Sequence, residues 1–213
     1  MNNHSAIEKV VVIASSAGGI SALTQVLSGF PAAIIMVQHL RAERESNLPQ
    51  HLTRSSKLRV IMAEDGLPLE AGVACLAVPG KHLVIRNDRI YLSMEAPVHY
   101  VRPSADVLFT SAANAFGRHV IGVVLSGAGR DGSGGCREIK AKGGVTIAQD
   151  EQTSRYFDMP GAAIDANVID YVLPVEDIAG KIMDLLKRNV TIQVGTKAQR
   201  GKGTKHDKYN SNI

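Results

Sequence analysis

The sequence contains no tryptophan, and aromatic residues make up only 4% of it. A core without large rings has to be built from Val, Ile, Leu and Ala, the set expected of a sheet covered by helices. Cysteine is scarce too. Cys75 and Cys136 stand alone in apolar or glycine-rich surroundings. That excludes a disulfide framework and reads as two buried free thiols in a reducing compartment. No apolar run approaches the ~18 residues needed to span a bilayer. The opening MNNHSAIEK has no signal-peptide pattern, so a cytoplasmic protein without stable membrane insertion is expected. A basic face is missing as well, despite a formal net charge of +4. Residues 189–213 hold Lys197, Arg200, Lys202, Lys205 and Lys208 against one acid, Asp207. Taking that tail from the 24 basic and 20 acidic residues leaves 19 of each. The body is neutral, which argues against nucleic acid as a partner, and the tail reads as a disordered basic extension.

What is present fits one globular domain over residues 1–188, with 45% of the chain hydrophobic and 21% charged. Its organising stretch is VVVIASSAGGISAL at 10–23. Apolar residues, three of them valines, run into two serines and two glycines, and a helical apolar pattern follows. This is a buried strand, a tight turn and a helix start. Further buried strands are expected at 33–37, 58–62, 73–78, 119–125, 145–148 and 169–172. Helices are expected at 18–27, 43–54, from Pro103 to about 116, from the glycine-rich loop 126–135 to about 142, from Pro160, and at 175–187. Ile20, Leu23, Val26 and Leu27 share a face of the first helix. Pro49 weakens the second, and Pro103 suits a first helical position. Asn87-Asp88 between 83–86 and 90–93 marks a hairpin. The fold class is α/β: a doubly wound, mainly parallel sheet with helices on both faces and one antiparallel hairpin.

Three expected strand ends deliver Ser15-Ser16, His39 and Asp131 to one rim. A hydroxyl, an imidazole and a carboxylate there are the parts of a Ser-His-Asp hydrolase. The Ala17 N–H, and an N–H from the loop Gly127 to Gly129 (Ala128 or Gly129 foremost), are candidates for an oxyanion hole. Simpler roles compete: turn serine, capping histidine, and Asp131 as N-cap of the helix that follows it. A phosphate cradle competes as well. The turn fits neither G-x-G-x-x-G nor a P-loop, and Gln38-His39 stands where a dinucleotide site needs an acid. His82 and His99 have no partner at metal spacing; His4, His51, His119 and His206 read as structural or solvated. Lys81, Arg102 and Arg41 are candidates for the rim.

The chain resembles the catalytic domain of the CheB-type chemotaxis protein-glutamate methylesterases. The resemblance covers about 10–186. It is carried by IASSAGG (13–19), VQHL (37–40), VPGKH (78–82), RPSADVLF (102–109), LSGAGRDG (125–132), IAQ (147–149) and Met159-Pro160. It implies Ser16, not Ser15, as nucleophile, with His39 as base and Asp131 as carboxylate. It implies hydrolysis of glutamate γ-methyl esters on the cytoplasmic helices of chemoreceptors, with release of methanol. Deamidation of receptor glutamine is implied by many members, and no metal or organic cofactor is used. Ala14, Ala17 and Ala128 depart from residues common in the family. Many members carry an N-terminal phospho-receiver domain; with Ser16 so near Met1, none is expected in this chain. The alternatives from the residues are a non-catalytic receptor-binding module and a nucleotide-binding α/β protein.

Overall fold

The computed structural model describes residues 7–39 and 47–187. The basic tail at 189–213, Arg41, and the 43–46 start of the expected second helix lie outside the described residues. Seven strands form one parallel sheet: β1 (Val10–Ser15), β2 (Ala33–Gln38), β3 (Arg59–Met62), β4 (Val73–Leu76), β7 (Val120–Val124), β8 (Val145–Gln149) and β9 (Tyr171–Leu173). Their order is β3-β4-β2-β1-β7-β8-β9. β5 (His82–Arg86) and β6 (Arg89–Ser93) form the separate antiparallel hairpin. The central strands read as unbroken apolar runs because both of their faces are covered; every residue of β1, β2 and β7 is buried.

Alternation along β1 divides the core in two. Val11 and Ile13 join the cluster holding Leu23 and Val26 of α1 (Gly19–Val26), Leu52 of α2 (Leu48–Ser55), and Ile178 and Ile182 of α6 (Val175–Lys187). Val10, Val12 and Ala14 join the opposite cluster. There they meet Leu108 and Phe109 of α3 (Ala105–Phe116), Cys136 and Ile139 of α4 (Ser133–Ala141), Met159 of α5 (Asp158–Asp165), and the hairpin. Cys75 and Cys136 are free and buried; burial pushes the Cys75 thiol up to about 12 and raises that of Cys136 as well. Among the described residues no helix is long and apolar enough to cross a membrane.

The local expectations need three corrections. Ile20 is 38% exposed, and Gly19 is buried in its place. The reason is close approach: a Cβ on Gly19 would lie 2.6 Å from the Ser15 Cβ, so the helix turns its bare position toward β1. Pro49 sits in the first turn of α2 (Leu48–Ser55) and supports that helix instead of weakening it. Pro103 precedes α3 instead of opening it; Ser104 is the N-cap.

The irregular stretch before α3 closes on itself. Val98 and Val101 exchange both backbone hydrogen bonds around His99 and Tyr100, which have φ of 49° and 64°. A bulky residue in this left-handed region costs about 1–3 kcal/mol. Tyr100 is fully exposed, so its ring contributes no packing in return. Tyr100→Gly is therefore expected to stabilise the protein by ~1 kcal/mol, even after the entropy a glycine adds to the unfolded chain. Thermal unfolding checks this: the midpoint should rise by about 2–4 °C, and a fall would contradict the strain argument.

Candidate active site

The site is assembled at the carboxyl end of β1. The chain leaves β1 for β2 on one side and returns to β7 on the other, so the strand order reverses there. Such a switch point opens a crevice at the strand ends. β1 and β2 run in register from Val10↔Ala33 to Ser15↔Gln38. Continuing by one residue sets Ser16 beside His39. The His39 N–H donates to the Ser15 carbonyl (3.0 Å), and the Ser16 N–H donates to the Ser126 carbonyl beyond β7 (3.0 Å). Alternation points the residue after Ser15 toward the α3–α4 side of the sheet.

Gln38 ties the two strand ends together. Its Nε2 donates to the carbonyls of Ser16 (2.8 Å) and His39 (3.1 Å). Its Oε1 accepts the hydroxyl of Ser15 (2.8 Å). Ser15 is thus buried and spent on Gln38, whereas Ser16 is half-buried beside the crevice.

Asp131 comes from the loop between β7 and α4. Its Oδ2 lies 2.9 Å from His39 Nε2 and accepts the Ala105 N–H (2.6 Å). Its Oδ1 accepts the Ser104 hydroxyl (2.7 Å) and the Asp106 N–H (3.1 Å). Burial opposes the charged carboxylate, but the bonds from His39, the two N–H groups and Ser104 outweigh it and hold the carboxyl below its usual range. Asp131 is therefore not the N-cap of the helix that follows it. That position is Gly132, at φ 103°, where a side chain would be strained. Asp131 instead serves the first N–H groups of α3, and Asp106 of α3 returns the arrangement: its Oδ1 accepts from Gly132 (3.0 Å) and Gly135 (2.7 Å) at the start of α4. Burial raises the Asp106 carboxyl, and the Asp131 charge pushes the same way against the two N–H bonds.

The loop after β7 is stitched to the serine turn. The Ser126 hydroxyl donates to the Ala17 carbonyl (2.9 Å) and accepts the Tyr156 N–H (3.0 Å); the Ser126 N–H is held by Gln149 Oε1 (2.8 Å). Gly127 passes so close that a Cβ there would lie 2.8 Å from the Ser16 Cβ and 2.3 Å from the Met159 sulfur. Its N–H donates to the Tyr156 carbonyl (2.9 Å). Ala128 and Gly129 follow on the exposed part of the loop, and Ala17 lies two residues before α1 begins.

The structure brings His39 and Asp131 into contact, and Ser16 follows Ser15, the register partner of Gln38, at the same rim. Other candidates take different places. His82 is buried in the scaffold and His99 lies 3.6 Å from Asp106. Lys81 is exposed, and Arg102 braces the carbonyls of Met94 and Glu95 (3.0 Å each). Sequence reasoning gives Ser104, Gln38 and Asp106 no role, because each acts on another segment of the chain; the Gly127 N–H, a candidate from sequence for the oxyanion, is bonded to Tyr156 instead.

Residues 11–182 match the family model described as CheB methylesterase. A protein of Anaeromyxobacter dehalogenans (strain 2CP-C), named protein-glutamate methylesterase/protein-glutamine glutaminase 2, is 45% identical over 183 residues, which are 84% of this chain and 54% of that protein. A protein-glutamate methylesterase/protein-glutamine glutaminase of Pyrococcus horikoshii is 42% identical over 176 residues, 79% of this chain and 48% of that one. The chain spans about half the length of these curated relatives. The crystal structure of the Thermotoga maritima CheB methylesterase catalytic domain superposes with a TM-score of 0.80 at 35% identity, covering 83% of this chain and 98% of that one.

Proposed function

The chain belongs to the CheB methylesterase family, and from that premise we propose that it is a serine hydrolase that removes methyl esters from glutamate side chains of chemoreceptors. Deamidation of receptor glutamine follows from the same chemistry. The observation that carries this reading is the 2.9 Å bond between His39 and Asp131, on the register neighbour of Ser16.

On this reading the two ring nitrogens of His39 have separate tasks. Asp131 engages Nε2, so the proton of the neutral ring sits there and Nδ1 is the nitrogen left to accept from Ser16. Ser16 Oγ attacks the ester carbonyl as Nδ1 takes its proton. The Asp131 carboxylate, held ionised by its four donors, stabilises the imidazolium that forms. The Ala17 N–H at the entrance to α1 and an N–H from Ala128 or Gly129 face the developing oxyanion. Collapse expels methoxide, which leaves as methanol with the proton from His39. Water, deprotonated by His39, then cleaves the acyl-enzyme and restores Ser16. The net change is ester plus water to carboxylate, methanol and one proton released to solvent. With glutamine the leaving group is ammonia.

The nucleotide alternative finds no support at the end of β2, where Gln38 holds two carbonyls and His39 holds Asp131. The test is a receptor cytoplasmic fragment carrying labelled methyl esters, incubated with the full chain and scored for volatile methanol. Release that tracks protein concentration is expected. No release, together with thermal stabilisation by ATP or NAD, would overturn the reading.

A further inference from the structure

Ser104 occupies the N-cap of α3, where a serine hydroxyl normally accepts from the first N–H groups of its own helix. It makes no such bond. Those N–H groups go to Asp131, and the Ser104 hydroxyl donates to the same carboxylate, on Oδ1 (2.7 Å), opposite the oxygen that meets His39. Behind it stands His82, 1% exposed, whose Nδ1 accepts the Ser104 N–H (3.2 Å). Its Nε2 meets the Ala96 carbonyl (3.1 Å). Both bonds are satisfied by the neutral ring with its proton on Nε2; a charged ring would set an N–H against an N–H. His82 thus orients Ser104, Ser104 orients Asp131, and Asp131 orients His39.

We propose that Ser104, aligned by His82, is a positioning residue for acyl transfer: its hydroxyl fixes the Asp131 carboxylate and sets how strongly that carboxylate holds a proton on His39. The proposal rests on the reading of His39 as base and Asp131 as its partner. The physical argument is a competition for charge. Every donor on Asp131 spreads its negative charge and leaves less to stabilise an imidazolium. Ser104 is fully buried and Asp131 is 3% exposed, so bulk water cannot simply replace a deleted hydroxyl. Without it, one carboxylate oxygen is left short of a donor, and the carboxylate leans harder on His39. The other titratable groups described around this carboxylate are Asp106 from α3, His99 against Asp106, and His82 behind Ser104. All of them remain when the hydroxyl is removed.

The experiment compares the full chain with Ser104→Ala, Ser104→Gly and Ser104→Thr. Hydrolysis of p-nitrophenyl acetate is followed from about pH 5 to about pH 9, where the acid limb of kcat/KM reports the base. The His39 ring is followed by NMR over the same range. Ser104→Ala and Ser104→Gly should move the acid limb and the ring titration upward by about 0.5 pH units and lower kcat by about 10-fold. Ser104→Thr, which keeps the hydroxyl, should return both toward wild type. Glycine is included because it keeps the N–H for His82 and is itself an accepted N-cap, so it folds even where alanine does not. A merely structural role would lower the amplitude and leave the midpoint alone. Midpoints unchanged in both deletions overturn the proposal. The NMR titration needs no turnover. It decides the coupling even if the wild type cleaves no ester, a result that would count against the hydrolase reading instead.

Discussion

Ser16→Ala is expected to lower turnover of a methyl ester by about 10⁴–10⁶-fold, with the fold preserved. The size follows from the role: no other hydroxyl in the serine turn is free to attack. Ser15 is buried and donates to Gln38, on the opposite face of β1. The preserved fold follows from how Ser16 is held. Its N–H bonds the Ser126 carbonyl and its carbonyl accepts from Gln38; both are backbone contacts that alanine keeps. The control is Ser15→Ala, which breaks a buried bond worth ~1 kcal/mol and should cost stability while keeping turnover within about tenfold. Methanol release and thermal midpoints, measured on both variants, separate the two serines. If Ser15→Ala abolished turnover and Ser16→Ala did not, the nucleophile would have to move one residue and to the other face of the sheet.

That contrast marks what a sequence can and cannot convey. The strands are legible because a doubly covered sheet demands apolar runs, and 10–14, 33–37 and 119–125 supply them. The placing of Ser16 and His39 at one rim is legible by the same route, since each stands just past such a run and parallel neighbours share a rim. Errors arise where one segment settles the structure of another. Pro103 suits a first helical position, yet α3 begins at Ala105, where Asp131 supplies the missing acceptor from 26 residues away. Ile20 fits the apolar stripe of the first helix, but the close approach of Gly19 to Ser15 rotates it outward. Asp131 before a glycine looks like the cap of its own helix. It serves α3 instead, and Asp106 serves α4 in exchange, an arrangement with no local signature in either segment. Gln38 is the same case: a polar residue ending a buried strand gives no hint that one amide will hold both neighbouring carbonyls.

The exchange of caps makes Asp131 a structural residue as well as a chemical one, so Asp131→Asn should fail on both counts. The amide keeps the shape but loses the charge and turns two N–H donors toward a pocket already filled by donors. Without a carboxylate, His39 loses the group that fixes its tautomer and stabilises its charged form, and kcat should fall by about 10³–10⁴-fold. The start of α3 loses its charged acceptor, which should cost about 2–4 kcal/mol at neutral pH. The pH dependence has a definite sign. The folded-state carboxyl is held below its ordinary value, so its stabilising contribution is complete above the unfolded carboxyl's ~3.9 and is lost as pH falls through the lower folded value. Asp106 works the other way. Its carboxyl is raised by burial and by the Asp131 charge, so its ionised form costs stability above the raised value and that cost is relieved as pH falls. Deleting the Asp131 charge removes one cause of the rise and so partly offsets the loss at neutral pH. Urea midpoints at neutral pH and near pH 3 test the balance: the deficit of Asp131→Asn should shrink markedly at the acid end. A deficit equally large at both pH values would mean that the carboxylate's charge does not hold α3 and α4 together at this rim.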